Sequence, residues 1–205
     1  FNPARQRMAT MPRGATLIDN EISIAPGFTI GNVHVMAGVP RIMQAMKDLE
    51  WELMGHGMTN SQPLSGMEKE KERATILATR KVIEDWGRKM HGWLGPGLTE
   101  TFNTPDLLKE CGAEYVADWV NDDQPYRMQA GGGEIVYLPY SYETNDNAQI
   151  VSRFASIDDF ERMIKRTFDV LYRESEDSAR VMAICLHPFI SGVPHRIAGL
   201  DAAFR

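Results

Sequence analysis

Cysteine is scarce in this sequence, which holds two among 205 residues, Cys111 and Cys185. Two thiols form at most one disulfide, and they cannot complete a zinc site built from four cysteines. A disulfide-stapled scaffold and a cysteine-based zinc module are therefore excluded. We interpret both cysteines as reduced core thiols, which predicts a cytoplasmic protein.

Long hydrophobic runs and a basic surface stripe are also missing. The apolar stretches are only a few residues long, whereas a membrane-spanning helix needs about 20. The 28 acidic and 22 basic residues give a net charge of -6, which disfavours nucleic acid and anionic membranes as partners. The content of 43% hydrophobic residues is that of a globular protein. The expected partner is a small-molecule substrate, and homo-oligomerisation is left open.

The chain changes character near residues 41–50. Before this point glycine and proline interrupt every apolar stretch, which predicts short strands at 16–18, 28–30 and 32–36. After it, strands and amphipathic helices alternate, which predicts a parallel α/β architecture. Helices are expected to begin at Ser65, Thr104 and Ser156, and the strands are expected at 50–57, 91–94, 114–120, 134–138 and 180–186.

Polar or glycine-rich elements follow the predicted strands. In parallel α/β folds the carboxyl ends of the strands gather at one edge, where the chemistry takes place. We therefore expect His56 and His187 to lie close together. The strand ends carry His56, Gly95-Pro96-Gly97, Asp118 with Asp122 and Asp123, Pro139-Tyr140, and His187-Pro188.

Two histidines and several carboxylates suit hydrolysis. One group takes a proton from water, and another stabilises the oxyanion or protonates the leaving nitrogen. The same groups could instead bind a divalent ion that activates the water. For His56 and His187 a structural hydrogen-bonding role stands beside the catalytic one, and a solvated turn or a cap is the simpler interpretation of Asp122 and Asp123.

Several short stretches carry a family resemblance when taken in order. They are Gly-His-Gly-Met-Thr-Asn-Ser at 55–61, Gly-Trp-Leu-Gly-Pro-Gly-Leu-Thr-Glu-Thr at 92–101, Asp-Trp-Val-Asn-Asp-Asp-Gln-Pro-Tyr at 118–126, Leu-Pro-Tyr at 138–140, Thr-Asn-Asp at 144–146, Leu-His-Pro at 186–188 and Gly-Val-Pro-His-Arg at 192–196. Residues from about Leu49 to the end resemble the polysaccharide deacetylase (NodB-homology) superfamily. The branch they resemble contains allantoinase-like proteins that work without a cofactor.

This resemblance implies a fold and a reaction. The fold would be a partial, distorted (β/α) barrel of the polysaccharide deacetylase type, similar to a TIM barrel. The reaction would be hydrolysis of C–N bonds other than peptide bonds, in an N-acyl sugar of carbohydrate metabolism or in a ureide such as allantoin. Either no cofactor or a divalent metal such as zinc is implied.

The resemblance also assigns roles to single residues. His187 matches the late catalytic histidine, and His56 matches the first metal-binding histidine, with Asn60 at the place of the second. Pro96 lies where the family has an Arg-x-x-Pro motif. The candidate catalytic residues are His187, Asp118, Asp122 and Asp123, the carboxylates orienting His187 or contacting substrate. The candidate substrate-binding residues are His56, Asn60, Pro96, Trp119 and Tyr140, and His56 is also the candidate metal ligand.

The first 46 residues resemble a second family. Three stretches are similar to the C-terminal part of molybdopterin-binding domains of the MoaB, MogA and CinA type. They are Asn-Pro-Ala-Arg-Gln-Arg-Met-Ala-Thr-Met-Pro-Arg-Gly-Ala-Thr-Leu-Ile at 2–18, Ala-Pro-Gly-Phe at 25–28 and Gly-Asn-Val-His-Val-Met-Ala-Gly-Val-Pro-Arg-Ile-Met at 31–43. We therefore interpret the chain as a fusion of two partial domains, a β-rich segment at 1–46 and a deacetylase-like domain at 47–205.

Two alternatives to a hydrolase stay open for this chain. The acidic motif that the deacetylase superfamily carries early in its domain is not found before residue 49. We therefore expect little or no hydrolase activity from this chain. A molybdopterin-binding module and a non-catalytic fragment are the other two interpretations.

Overall fold

The computed structural model describes residues 51–205 and, within residues 1–50, the backbone of three short strands. These are β1 (Thr16–Ile18), β2 (Gly27–Ile30) and β3 (Val33–Val35). They form an antiparallel sheet in the order β1-β2-β3, which confirms the short strands predicted there. The predicted boundary between residues 46 and 47 lies outside the described residues.

The described part after residue 50 contains five α-helices. They are α1 (Lys69–Asp85), α2 (Thr104–Glu110), α3 (Ile157–Glu174), α4 (Pro188–Ser191) and α5 (Ile197–Ala203). A 3-10 turn at Pro96–Leu98 and a π-helical segment at Asn147–Ser152 complete the helical structure. In this part of the chain no helix combines the length and the apolar character that crossing a membrane requires.

A four-stranded mixed sheet carries the parallel α/β pattern. Its strands are β4 (Gly92–Trp93), β5 (Tyr115–Val116), β6 (Tyr126–Ala130) and β7 (Gly133–Tyr137), arranged in the order β4-β5-β7-β6. Strands β4, β5 and β7 run parallel, and α2 connects the first two of them. Strand β6 pairs antiparallel with β7. The expected α/β fold is therefore confirmed, and the antiparallel strand β6 is an addition to the parallel pattern expected from the sequence.

The hairpin between β6 and β7 turns on two glycines. Gly131 and Gly132 both have positive φ angles, +56° and +77°. A two-residue loop with both φ angles positive matches the right-handed twist of the strands, and glycine enters this region without steric cost. The glycine run therefore forms a tight turn.

The chain divides into two compact units. The first consists of Phe1–Trp51, Ser141–Val170 and Ile184–Arg205, and the second of Glu52–Tyr140 and Leu171–Ala183. Cys185 belongs to the first unit and Cys111 to the second, and neither is in a disulfide.

The second unit contains the mixed sheet, α1 and α2, packed around a continuous apolar cluster. Burial of these side chains is the main force that holds the sheet and the two helices together. The buried members of the cluster are Leu53, Leu64, Ile76, Ile83, Met90, Trp93, Leu107, Leu108, Cys111, Ala113, Val116, Ala130 and Ile135.

The helix starts expected at Ser156 and Ser65 have opposite outcomes. At the start of α3 the hydroxyl of Ser156 accepts the backbone N–H of Asp159, and the Asp159 carboxylate accepts the N–H of Ser156, as in a capping box, which confirms the start at Ser156. The start expected at Ser65 is wrong, because α1 begins at Lys69, and Glu68 makes no side-chain cap. Gly66 has a φ of +75°, which is incompatible with a first helical turn at that place.

The predicted strand at 180–186 is replaced by a single bridge. Cys185 pairs in parallel with Asn145, and residues 180–186 are only partly buried. The backbone N–H of Cys185 donates to Thr144 O at 3.0 Å, and the N–H of Asp146 donates to Cys185 O at 3.1 Å. This short pairing fixes Asp146 beside the segment that leads to His187.

Candidate active site

In the first unit a buried carboxylate holds His187. The Nδ1 atom of His187 lies 2.6 Å from Oδ1 of Asp146. The other oxygen of Asp146 accepts the backbone N–H of His187 at 2.8 Å and the hydroxyl of Ser191 at 2.6 Å. Asp146 is completely buried, and these three donors compensate its charge.

The geometry fixes the tautomer of the imidazole ring. Because a carboxylate oxygen contacts Nδ1, the proton of the neutral ring sits on Nδ1 and leaves Nε2 as an acceptor. The His187 side chain is 27% exposed, and its ring meets that of Phe189 edge to face at 5.6 Å between centroids. This arrangement can take a proton from water at Nε2 and stabilise the resulting imidazolium.

In the second unit Asp118 lies against the loop that follows β4. It is 4% exposed, and its Oδ1 accepts the backbone N–H of Gly95 at 2.5 Å. A Cβ at position 95 would lie 2.9 Å from Asp118 Oδ2 and 2.7 Å from the carbonyl oxygen of Thr99. Only glycine therefore allows the loop to approach the carboxylate this closely.

Glu100 forms a carboxyl pair with Asp118. Burial, together with the hydrogen bond to the Asp118 carboxyl, raises the pKa of Glu100 to about 10. Burial also raises the pKa of Asp118, against the opposing effects of Glu100, the Gly95 N–H and the charge of His56. The pair therefore carries one proton near neutral pH, and Glu100 holds it.

A third carboxylate fixes the loop from which Glu100 projects. Glu72 on α1 is completely buried, and its Oε2 accepts the hydroxyl of Thr101 at 2.6 Å. Its Oε1 accepts the hydroxyl of Thr104 at the start of α2. Thr101 and Thr104, which both follow Glu100 in the chain, are thus attached to α1, and this fixes the backbone after Glu100.

A cavity of about 550 Å³ lies beside this loop. Trp119 forms part of its wall and is held by the phenol of Tyr137, which donates to the backbone oxygen of Trp119. The lining combines apolar side chains with one carboxyl group and one hydroxyl. It consists of Gly66, Met67, Glu100, Thr101, Phe102, Pro105 and Trp119.

The loop at 94–96 gathers three residues predicted from the sequence. His56 is exposed, and its Nδ1 hydrogen-bonds to the carbonyl oxygen of Leu94. Pro96 is buried at the start of the 3-10 turn, and Asp118 contacts Gly95. These three positions therefore share one edge of the second unit.

The remaining predicted residues of the second unit lie elsewhere on its surface or in its interior. Asp122 and Asp123 are exposed, and Asp122 accepts the backbone N–H of Gln124 at 3.0 Å, as in an Asx turn. Asn60 is exposed, whereas Tyr140 is buried. Their proposed roles stay predictions.

Sequence reasoning missed the carboxylate that holds His187. Asp146 contacts Nδ1 of His187, whereas Asp118, Asp122 and Asp123 were the candidates and all three belong to the second unit. The sequence signal that could have identified Asp146 is the Thr-Asn-Asp motif at 144–146. The expected approach of His56 to His187 stays a prediction.

The described residues do not fit a metal site of the usual kind. Within residues 51–205 no group of three or more His, Cys, Asp or Glu side chains is placed to hold an ion. His56 uses Nδ1 for Leu94, and an amide, Asn60, stands four residues later. His56 as a metal ligand stays a prediction.

The structure resembles solved deacetylase-type proteins. A Pseudomonas aeruginosa PAO1 protein described as a probable polysaccharide deacetylase is 30% identical, with a TM-score of 0.69 over 79% of this chain. Puue allantoinase is also 30% identical, with a TM-score of 0.72 over 80% of the chain. A structure from Mycobacterium smegmatis, 24% identical with a TM-score of 0.71 over 80% of this chain and 59% of its own, supports the fold alone.

These likenesses are confined to part of each protein. The chain spans 55% of the length of both the Pseudomonas protein and the allantoinase. The N-terminal stretch is 42% identical over 57 residues, 26% of this chain, to a CinA-like protein from Desulforapulum autotrophicum, of which it covers 13%. No protein-family model matches the chain. The two resemblances expected from the sequence are therefore confirmed, and the fold is that of a deacetylase-type hydrolase.

Proposed function

We propose that the chain is a hydrolase of C–N bonds other than peptide bonds, acting on an N-acyl sugar or a ureide such as allantoin. The observation that carries the proposal is the His187–Asp146 pair, with Asp146 buried and bonded to Nδ1. The likeness to a polysaccharide deacetylase and to an allantoinase supports this substrate class. The thiols of Cys111 and Cys185, neither of them in a disulfide, support a cytoplasmic location.

The proposed reaction uses His187 twice. Its Nε2 takes a proton from water while the water oxygen bonds to the carbonyl carbon of the substrate. The buried charge of Asp146 stabilises the imidazolium that forms. The imidazolium then gives this proton to the nitrogen as the C–N bond breaks, which releases an amine and an acid.

Turnover of candidate substrates tests the proposal. The purified chain is incubated with allantoin and with N-acetylglucosamine oligomers, with and without added zinc, and the release of ureido acid, ammonia or acetate is measured. His187→Ala is expected to lower the rate about 10²–10⁴-fold, since it removes the proton-transferring group. His195→Ala, an exposed histidine in the same unit, is the matched control and should keep the rate.

Two outcomes would contradict the proposal. One is turnover that His187→Ala leaves unchanged. The other is the absence of turnover with every substrate under both conditions. The missing early acidic motif predicts that outcome, and it would favour the non-catalytic interpretation of this chain.

A further inference from the structure

Two methionines flank His56 in the second unit. The sequence here is Met54-Gly55-His56-Gly57-Met58, which places a thioether two residues before the histidine and a second one two residues after it. Met54 and Met58 are 37% and 53% exposed, so both side chains reach the surface instead of packing in the core. The family resemblance assigns a role to His56 alone, and the reaction proposed above uses neither methionine.

The backbone directs the two methionines and the histidine outward. Gly55 is buried and forms a parallel bridge with Trp93. A Cβ at Gly55 would lie 2.5 Å from the Trp93 ring, and a Cβ at Gly57 would lie 2.9 Å from the ring of Pro96, so both glycines face the interior. Gly57 also bends the chain with a φ of +70°, and Met58 after it is exposed. Because successive residues of an extended segment point to opposite sides, the thioethers and the imidazole share the solvent side.

The imidazole of His56 has the orientation of a metal ligand. Its Nδ1 donates to the carbonyl oxygen of Leu94, which leaves Nε2 of the neutral ring as a lone-pair donor. Histidines that bind metals usually make such a bond with the other ring nitrogen, because it fixes both the tautomer and the ring. The charge of Asp118 acts on His56 and favours a cation at this place.

The types of ligand atom determine the class of ion. Zinc is held by thiolate, imidazole and carboxylate groups, and within residues 51–205 no three such side chains are placed to hold it. A thioether sulfur is a soft ligand, which selects Cu(I) over hard divalent ions. Alternate residues of an extended segment lie about 7 Å apart at Cα. The unbranched methionine side chain is flexible enough to share an ion with an imidazole at that spacing.

We propose that the second unit binds a soft monovalent metal ion, Cu(I) or Ag(I), through Nε2 of His56 and the thioethers of Met54 and Met58. The three ligands are close in sequence and lie on one exposed segment, so the site is complete within this unit. The inference goes beyond the proposed hydrolysis. It concerns binding alone and requires neither turnover nor a contact with the first unit.

NMR of the methionine methyl groups in the full chain tests the inference residue by residue. The labelled chain is titrated with Ag(I), which has the charge and the ligand preference of Cu(I) and resists oxidation. The signals of Met54 and Met58, assigned from Met54→Leu and Met58→Leu, are expected to shift together. The signal of Met163, a partly buried methionine on α3, should stay in place. If the Met54 or the Met58 signal does not move with Ag(I) in excess, the inference is wrong.

Competition with the Cu(I) chelator bicinchoninate measures how many ions the chain holds. The thiols of Cys111 and Cys185 also bind Cu(I), and they are the same in every variant that is compared. The double variant Met54→Leu/Met58→Leu keeps the apolar volume and removes both sulfurs, so it should hold one Cu(I) fewer than the unchanged chain. Met163→Leu is the matched control and should hold as many. Equal capacities of the double variant and the unchanged chain would contradict the site.

Zinc separates this site from the one that the family resemblance implies. An equal concentration of Zn²⁺ should neither displace Ag(I) nor move the two methyl signals, because thioethers are poor ligands for it. His56→Gln removes the nitrogen ligand at an exposed position and should weaken Ag(I) binding roughly tenfold or more. Displacement of Ag(I) by zinc, or unchanged Ag(I) binding in His56→Gln, would overturn the inference. The presence or absence of turnover bears on the proposed function alone.

Discussion

One carboxylate holds both the ring and the backbone of His187. Asp146 contacts the ring Nδ1 at 2.6 Å with one oxygen and accepts the backbone N–H of the same residue at 2.8 Å with the other. The position of the histidine and the orientation of its imidazole therefore depend on a single buried side chain. Loss of that side chain should affect stability and proton transfer together.

Asp146→Asn should destabilise the fold strongly. An asparagine offers one acceptor and one N–H₂ group where the carboxylate accepts from three donors, so at least one buried donor loses its partner. The expected loss is roughly 2–4 kcal/mol in the free energy of unfolding. Urea unfolding followed by circular dichroism measures it. Ser191→Ala, which removes one of the three bonds, should cost only about 1 kcal/mol, and equal losses in both variants would be inconsistent with the central role of Asp146.

The Glu100–Asp118 pair should make stability depend on pH. The pKa of Glu100 is raised to about 10 in the folded state, so the folded state binds more protons than the unfolded state from about pH 4 upwards. The stability that Glu100 contributes is fully present below about pH 4 and is lost as the pH rises towards 10.

Glu100→Gln removes this titration. Relative to the unchanged chain, the variant should gain stability between pH 5 and pH 9 by an amount on the order of 1 kcal/mol, since the cavity exposes part of the carboxyl to water. Urea unfolding at several pH values provides the measurement. Glu68→Gln, which removes an exposed acid outside this pair, is the matched control. Parallel curves for Glu100→Gln and the unchanged chain would show that Glu100 is ionised in the fold.

Gly95→Ala should disturb the loop over Asp118. The new methyl group would lie 2.9 Å from Asp118 Oδ2 and 2.7 Å from the backbone oxygen of Thr99, so the loop must shift. Overpacking of this kind costs roughly 1–3 kcal/mol. The comparison is Gly66→Ala, where a Cβ meets nothing within 4 Å and only the positive φ is penalised, by about 1 kcal/mol. Thermal unfolding of both variants measures the two losses of stability. Equal shifts in Tm would show that the close approach of Gly95 to Asp118 does not constrain the loop.

Phe160 should be a main source of stability in the first unit. It is completely buried on α3, and truncation to alanine leaves a cavity, which costs roughly 3–5 kcal/mol. Phe154, six positions earlier, is 88% exposed, so Phe154→Ala should change stability by no more than about 0.5 kcal/mol. Urea unfolding of the two variants checks the contrast, and a small effect at both positions would contradict the packing of α3.

The sequence predicted elements well where local chemistry decides them. The start of α3 follows from the Ser156–Asp159 box, and the helix at 104–110 begins at Thr104, as expected, with Pro105 in its first turn. It predicted the start of an element less well where a backbone angle decides the outcome. The φ of +75° at Gly66 delays α1 by a turn, and no pattern of apolar residues reports that angle.

Strand β6 was missed for a different reason. Its exposed side chains, among them Arg127 and Gln129, dilute the apolar signal of an edge strand with one solvated face. The candidate site was likewise predictable only in part. His56 and His187 are recognisable from their motifs. Asp146 and Glu100 can be identified as partners only from contacts between segments that are distant in the chain.

The placement of the two cysteines provides a built-in chemical reporter for each unit. The Cys111 side chain is 5% exposed and burial raises its pKa, so the reactive thiolate is scarce while the second unit stays closed. Alkylation of Cys111 therefore requires an opening of that unit, and its rate measures how often the opening occurs. Cys185 lies in the first unit and is partly exposed, so its alkylation has a separate rate. Mass spectrometry of one alkylation time course thus follows both units of the native chain without any engineered probe.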